Sequence, residues 1–172
     1  MFSDELITLR APEPNDVDCM YIMENDMEAW SDGVTFAPVS RKQLTEYVAG
    51  YDGDIYASCQ LRLVVELNAD RKVVGVIDLY DYDRVNRRAY VGIFISKAFR
   101  GQRIASHALA LLCGYCRSRL DMKQLAAVVR DGNVPSCRLF ERAGFVVTGR
   151  FPQWVRHGND YVDATHYQLI LR

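Results

Sequence analysis

Residues 99–112 read FRGQRIASHALALL, and the segment from Tyr90 to Ser96 just before them reads YVGIFIS. The upstream segment is apolar and rich in β-branched and aromatic residues, which predicts a buried strand. The downstream one predicts a helix from about Ile104 to Ser118, made of small and apolar residues. A helix that starts straight after a strand leaves its first backbone N–H groups without intrahelical partners, and its dipole adds about half a positive charge there. Arg100, Gly101, Gln102 and Arg103 supply one flexible point and two cations at this turn. A diphosphate therefore fits across the N–H groups of roughly Gln102 to Ala105, with Ile104 opening the helix and the small Ala105 and Ser106 allowing close approach. The other reading of Arg100 and Arg103 is solvated charge beside a short loop. Neither a Walker A ending nor the three spaced glycines of a dinucleotide fold is present.

Three strands, LRLVVEL, VVGVIDLY and AYVGIFIS, follow one another with turns at NADRK and around DRVNRR, which predicts an antiparallel meander. After the helix come the strand QLAAVV, a short helix around Ser136 to Arg142, the strand FVVTGRF, a turn at RHGND and a last strand, YVDATHYQLIL. Nearer the start, ELITLR alternates like a strand, and APEPND opens a helix carrying Val17, Met20, Tyr21 and Met23. Ser40 and Gln43 form a capping box that opens a second helix through about Ala49. No repeat, linker or low-complexity segment marks a boundary, so residues 1–172 read as one α+β domain with a mixed sheet flanked by helices.

The length of 172 residues and the 49% hydrophobic content supply one core and would cramp two. A formal net charge of −1 gives no basic field for duplex nucleic acid. No apolar run approaches the roughly eighteen residues of a membrane span, and MFSDELITLR lacks a secretory core. Five scattered cysteines fit reduced thiols, so a cytoplasmic protein is expected. Cys113 and Cys116 form a CxxC inside the predicted helix without a second Cys or His pair, so no metal is expected.

RGQRIA, with Arg100 and Ala105 in place, resembles the pyrophosphate loop of the GCN5-related N-acetyltransferase (GNAT) family. NVPSCRLFERAGF resembles a second segment of that family at Asn133, Ser136, Leu139, Glu141, Gly144 and Phe145. ITLRAPEPNDVDCMYIMEND, RRAYVGIFISKAFRG and GRFPQWVRHGNDYVDATHYQLI are similar to the branch that holds spermidine and ribosomal-protein alanine acetyltransferases, and the likeness spans nearly the whole chain. The resemblance implies a sheet splayed between YVGIFIS and QLAAVV, with acetyl-CoA in the wedge as co-substrate. It places the pantetheine against backbone groups of Ile93, Phe94 and Ile95, which are also candidates to steady an oxyanion. It places the diphosphate on Arg100 to Ser106, and has Asn133, Ser136 and Phe140 border the CoA arm. It further implies direct acetyl transfer to a primary amine, either a polyamine-like small molecule or a protein N-terminus, and a homodimer. A CoA-binding regulatory or assembly module with little catalysis is the alternative.

Two positions depart from the family pattern. Arg103 stands where glycine is usual, and an ordinary residue there is expected to avoid positive φ. Phe140 stands where many members carry a tyrosine that protonates the departing thiolate. A thiol of pKa about 8.5 can leave without that acid, and a restored tyrosine is expected to raise a rate limited by that step.

An alkylammonium of pKa about 10.4 must shed a proton before it can attack. Tyr90, which occupies a position where the spermidine branch often has glutamate, is either a relay hydroxyl or a packed strand aromatic. Asp78 and Asp81 are either the carboxylate that serves or solvated charges, and strand alternation puts them on opposite faces. Glu24, Asp26, Glu28 and Asp32 form an acidic rim suited to a cationic acceptor or a solvated loop. Trp30 and Trp154 offer either cation–π walls or buried packing. His107 faces the cofactor turn or packs the helix. His157 and His166 show no triad or metal spacing and receive no role.

Overall fold

Alternating β-branched and large apolar residues build the centre of the sheet. The computed structural model describes residues 2–27 and 37–172. In chain order the elements are β1 (Phe2–Ser3), β2 (Ile7–Arg10), α1 (Val17–Glu24), α2 (Arg41–Ala49), α3 (Ile55–Ser58), β3 (Leu61–Leu67), β4 (Val73–Asp83), β5 (Arg88–Ile95), α4 (Ile104–Ser118), β6 (Gln124–Arg130), α5 (Val134–Arg142), β7 (Val146–His157) and β8 (Asp160–Ile170). The strands form one eight-stranded mixed sheet in the order β1-β2-β3-β4-β5-β6-β8-β7. Every neighbouring pair is antiparallel except β5 and β6.

The two sheet faces carry different helices. On one face, Ile104, Ala108, Leu109 and Leu112 of α4 are buried in one cluster with Ile77, Leu79, Val91, Leu125 and Ala127. Phe140 of α5 joins the same cluster, as does Tyr167 of β8. On the other face, Met23 of α1 packs with Val64 and Val76, while Met20 meets Leu44 and Val48 of α2. The Ser40–Gln43 capping box holds the start of α2, with Gln43 N–H donating to Ser40 Oγ. Cys113 and Cys116 are buried in the first cluster, and burial pushes the Cys113 thiol up to about 11. No helix among the described residues is long and apolar enough to cross a membrane.

The four-residue α3 and two-residue β1 lie below the length at which periodicity is readable. The helix α3 is held by its cap, Asp54, whose carboxylate accepts from the N–H groups of Tyr56 and Ala57. A buried charge cluster ties β2 to β3: Arg10 binds Asp16 at 2.7 Å and Glu66 at 2.6 Å. These carboxylates hold the Arg10 guanidinium well above its usual range, with the Asp16 hydrogen bond as the largest cause.

β4 crowds β5 at Gly75, opposite Ile95. A Cβ there would lie 2.3 Å from Phe94 O and 2.7 Å from Ile95 Cδ1, so the strand can pass only without a side chain. Gly75→Ala is expected to cost about 2 kcal/mol by overpacking. It should shift the urea midpoint at unchanged slope, and an unshifted midpoint would show that the strands part at no cost.

Candidate active site

The parallel strands β5 and β6 keep register only at Arg88↔Gln124, Ala89↔Leu125 and Tyr90↔Ala126; beyond that they part. The expected splay is therefore present. β5 stays paired with β4 through Ile95, and Ser96 N–H donates to Val74 O at 2.9 Å. Hydrogen-bonded and non-bonded pairs alternate along an antiparallel ladder. Gly92 and Phe94 thus direct their backbone groups to Asp78 and Val76, whereas Ile93 and Ile95 aim theirs into the opening. Of the three residues expected to face a pantetheine with their main chain, Phe94 turns away. The Ile95 carbonyl accepts from Arg100 Nε at 2.9 Å. This leaves the Ile95 N–H and both Ile93 groups on the open edge.

The turn above the opening corrects one expectation. Arg103 does enter the left-handed region, at φ 62° and ψ 4°, as the N-cap of α4. Its carbonyl accepts from the N–H groups of Ser106 and His107 at 2.9 and 3.1 Å, and Ile104 is fully buried behind it. Anchored on both sides, the turn sustains a conformation that costs an ordinary residue roughly 1–2 kcal/mol. Among the described residues, the N–H groups of Gly101, Gln102, Arg103, Ile104 and Ala105 donate to no protein acceptor. They sit at the positive end of a fifteen-residue helix. Gly101 (φ 79°) and Arg103 are exposed, Ala105 is half-buried and Ser106 is exposed. The Arg100 side chain instead folds back over the Phe94 ring, 5.8 Å from its centroid.

On the β6 side, Asn133 caps α5, its Oδ1 accepting from Ser136 N–H at 3.2 Å. Ser136 is half-buried on the first turn. Phe140 departs from the expected place beside the coenzyme arm. It is 3% exposed, its ring 5.1 Å from Phe145 and stacked 6.2 Å from Tyr167. A phenyl ring has no polar tip to hold at a wet surface, so it buries fully. Burial also pushes the Tyr167 hydroxyl up, and that hydroxyl donates to Glu141 Oε1 at 3.4 Å.

The opposite sheet face carries the side chains of Asp78, Tyr80, Tyr90 and Phe94. Asp78 grips Arg62 with both oxygens, at 2.8 and 2.9 Å, and Glu24 Oε1 accepts from Arg62 Nη1. Two carboxylates on one guanidinium leave a half-buried group of net charge −1. Burial opposes the Arg62 charge, but the Asp78 bonds and both carboxylates outweigh it and hold its pKa well above the usual range. Tyr47 lies 5.8 Å from the guanidinium. Tyr80 and Tyr90 stack at 5.5 Å, and burial pushes Tyr80 up to about 12, so its hydroxyl stays a donor at neutral pH. Tyr90 in turn meets His166 edge-on at 5.8 Å, and Phe151 meets His166 at 5.9 Å and Trp154 at 5.0 Å.

Asp81 does not sit by simple alternation. It has φ 50°, is exposed, and lies in the irregularity between Tyr80 and Asp83 that returns Tyr82 to the core. Asp26 is half-buried, whereas Glu28, Trp30 and Asp32 lie outside the described residues. Trp154 is exposed on the β7–β8 hairpin. His107 faces away from the wedge, its Nδ1 2.7 Å from Asp4 Oδ2. Sequence reasoning missed Arg62 and His166. A lone arginine inside the apolar run LRLVVEL was a readable sign of a buried ion pair, whereas His166 becomes visible only through its ring neighbours.

A family model described as an acetyltransferase (GNAT) domain matches residues 7–146. A putative ribosomal N-acetyltransferase of Bacillus subtilis, YdaF, is 26% identical over 98% of this chain and 93% of its own length. The spermidine N(1)-acetyltransferase of Escherichia coli K12 is 27% identical over 87% of this chain and 77% of its own. The crystal structure of spermidine N-acetyltransferase from Vibrio cholerae in complex with CoA and spermine superposes with a TM-score of 0.87. It is 23% identical, covering 98% of this chain and 97% of that one.

Because Phe140 is sealed in the core, Phe140→Tyr should not speed turnover, contrary to the expectation from its sequence position. The added hydroxyl should cost about 1–3 kcal/mol of stability. Parallel thermal melts and steady-state rates check this, and a faster, equally stable variant would refute the buried placement.

Proposed function

The chain belongs to the GNAT acetyltransferase family, and from that membership we propose that its acceptor is a cationic primary amine, either a polyamine or a protein N-terminus. Acetyl-CoA is the co-substrate and the transfer is direct. The carrying observation is the run of five backbone N–H groups, Gly101 to Ala105, opening above the parted strands. Their number and the helix dipole suit a diphosphate. A pantetheine lying along β5 would then meet the main chain of Ile93 and the Ile95 N–H. An N–H on that edge would hydrogen-bond the oxyanion as the thioester carbonyl becomes tetrahedral.

The amine is read as reaching the wedge from the face that carries α1. There the Glu24–Arg62–Asp78 group supplies net negative charge, and Tyr47, Tyr80 and Tyr90 supply aromatic surface. Asp78 acts as an electrostatic anchor, because both its oxygens are committed to Arg62. The relatives named for spermidine and for ribosomal substrates support the two acceptor kinds. Association of copies is supported by the open edge of β7, where Val146 and Val147 are exposed. Five free cysteines support a cytoplasmic setting.

Purified protein with acetyl-CoA and a panel of amines should release free thiol, most with polyamines or N-terminal peptides. Stabilisation by CoA without thiol release from any amine would overturn catalysis and leave a coenzyme-binding module. Arg103→Asp should weaken acetyl-CoA binding by roughly tenfold in calorimetry at low salt, with the loss shrinking as salt rises. Unchanged affinity would remove the turn from the coenzyme site.

A further inference from the structure

We propose that His166 is the base that takes the proton from the acceptor ammonium, a role that rests on the acetyl-transfer reading. Its place in the sheet carries the case. His166 pairs with Val128, two residues beyond Ala126, the last point at which β6 is held to β5. The imidazole therefore stands beside the opening, on the face from which the amine arrives. It reaches across the small Ala126 to Tyr90, whose ring it meets at 82°, and Phe151 closes its other side at 75°.

The two ring nitrogens differ in their surroundings. Nδ1 lies 2.7 Å from Thr148 Oγ1, and the same hydroxyl lies 3.4 Å from the His166 carbonyl. In the tautomer the proposal requires, Thr148 turns its proton to that carbonyl and accepts from Nδ1–H, which leaves the lone pair on Nε2. Among the described residues no group is bonded to Nε2. Burial lowers the imidazole below its ordinary value, so at pH 7 it is the neutral, proton-accepting form.

The groups facing it are Tyr90 from β5, with Tyr80 behind, and Thr148 and Phe151 from β7. The Glu24–Arg62–Asp78 group lies beyond Tyr80, and Arg150 is tied to Asp131 and Asp163 on the hairpin. The rival bases are weaker, since Asp78 is doubly bound to Arg62, Asp81 is exposed in its bulge, and Tyr80 is a donor. One ammonium proton passes to Nε2 and then to solvent. The freed amine lone pair forms the N–C bond, the C–S bond breaks, and the second proton, lost as the adduct collapses, ends on the CoA thiolate.

The test compares wild type with His166→Gln on two acceptors, an alkylamine and an aryl hydrazine that is already neutral at pH 7. With the alkylamine, kcat at pH 7 should fall about 100-fold, with the KM for acetyl-CoA unchanged and the acid limb of kcat/KM abolished. With the neutral acceptor the variant should match wild type. Equal losses on both acceptors, or no loss on the alkylamine, overturn the proposal while leaving acetyl transfer intact. A wild-type enzyme inert on every amine overturns both. Should the variant not fold, imidazole NMR of the wild type decides. His166 must titrate where kcat/KM rises with pH, and a titration more than about one unit away overturns the assignment.

Discussion

The separation of β5 from β6 is the constraint on which the rest of the molecule depends. Two parallel strands that pair for three residues and then diverge leave a row of main-chain groups without ladder partners in the middle of a sheet. Buried backbone groups must be satisfied by something, and where protein does not reach, a ligand with amide groups of its own can. The fold sustains the gap because each strand is secured on its far side. β4 holds β5 through Ile95, and β8 holds the whole of β6 from Gln124 to Arg130. α4 and α5 then back both strands from one face, in a single buried cluster that spans the opening.

Much of this was legible beforehand, because the decisive signals are local. Alternation in LRLVVEL and VVGVIDLY, the Ser40–Gln43 capping box, and the abrupt passage from YVGIFIS into RGQRIA each specify their element without tertiary help. The resemblance at Asn133 to Phe145 then supplied the coenzyme and the splay. The candidate site was less legible, because its side chains come from β3, β4, β5 and β8. A sequence shows neither that Arg62 lies against both Glu24 and Asp78 nor that the Tyr90 and His166 rings touch across Ala126.

Residue type predicts that Arg103 avoids positive φ, alternation sets Asp81 opposite Asp78, and the family segment sets Phe140 beside the coenzyme arm; the structure departs from each. Arg103 takes a conformation suited to glycine because the helix start and the buried Ile104 hold it there. Asp81 leaves the alternation because an extra residue between Tyr80 and Asp83 must be absorbed somewhere. Phe140 faces the core because nothing polar on it asks for the cleft. For Arg103 and Asp81, position within a fixed frame outweighs intrinsic preference, whereas for Phe140 the apolar side chain itself decides.

The hydrogen bond from Arg100 to the Ile95 carbonyl has a mechanical consequence. It ties the turn at residues 100–103 to the edge of β5, so the two parts of the proposed coenzyme seat are joined by a direct contact. A ligand that meets a preformed seat spends little of its interaction energy on ordering the protein. On the proposed reading, discrimination between acyl-coenzymes then rests on the shape of that seat.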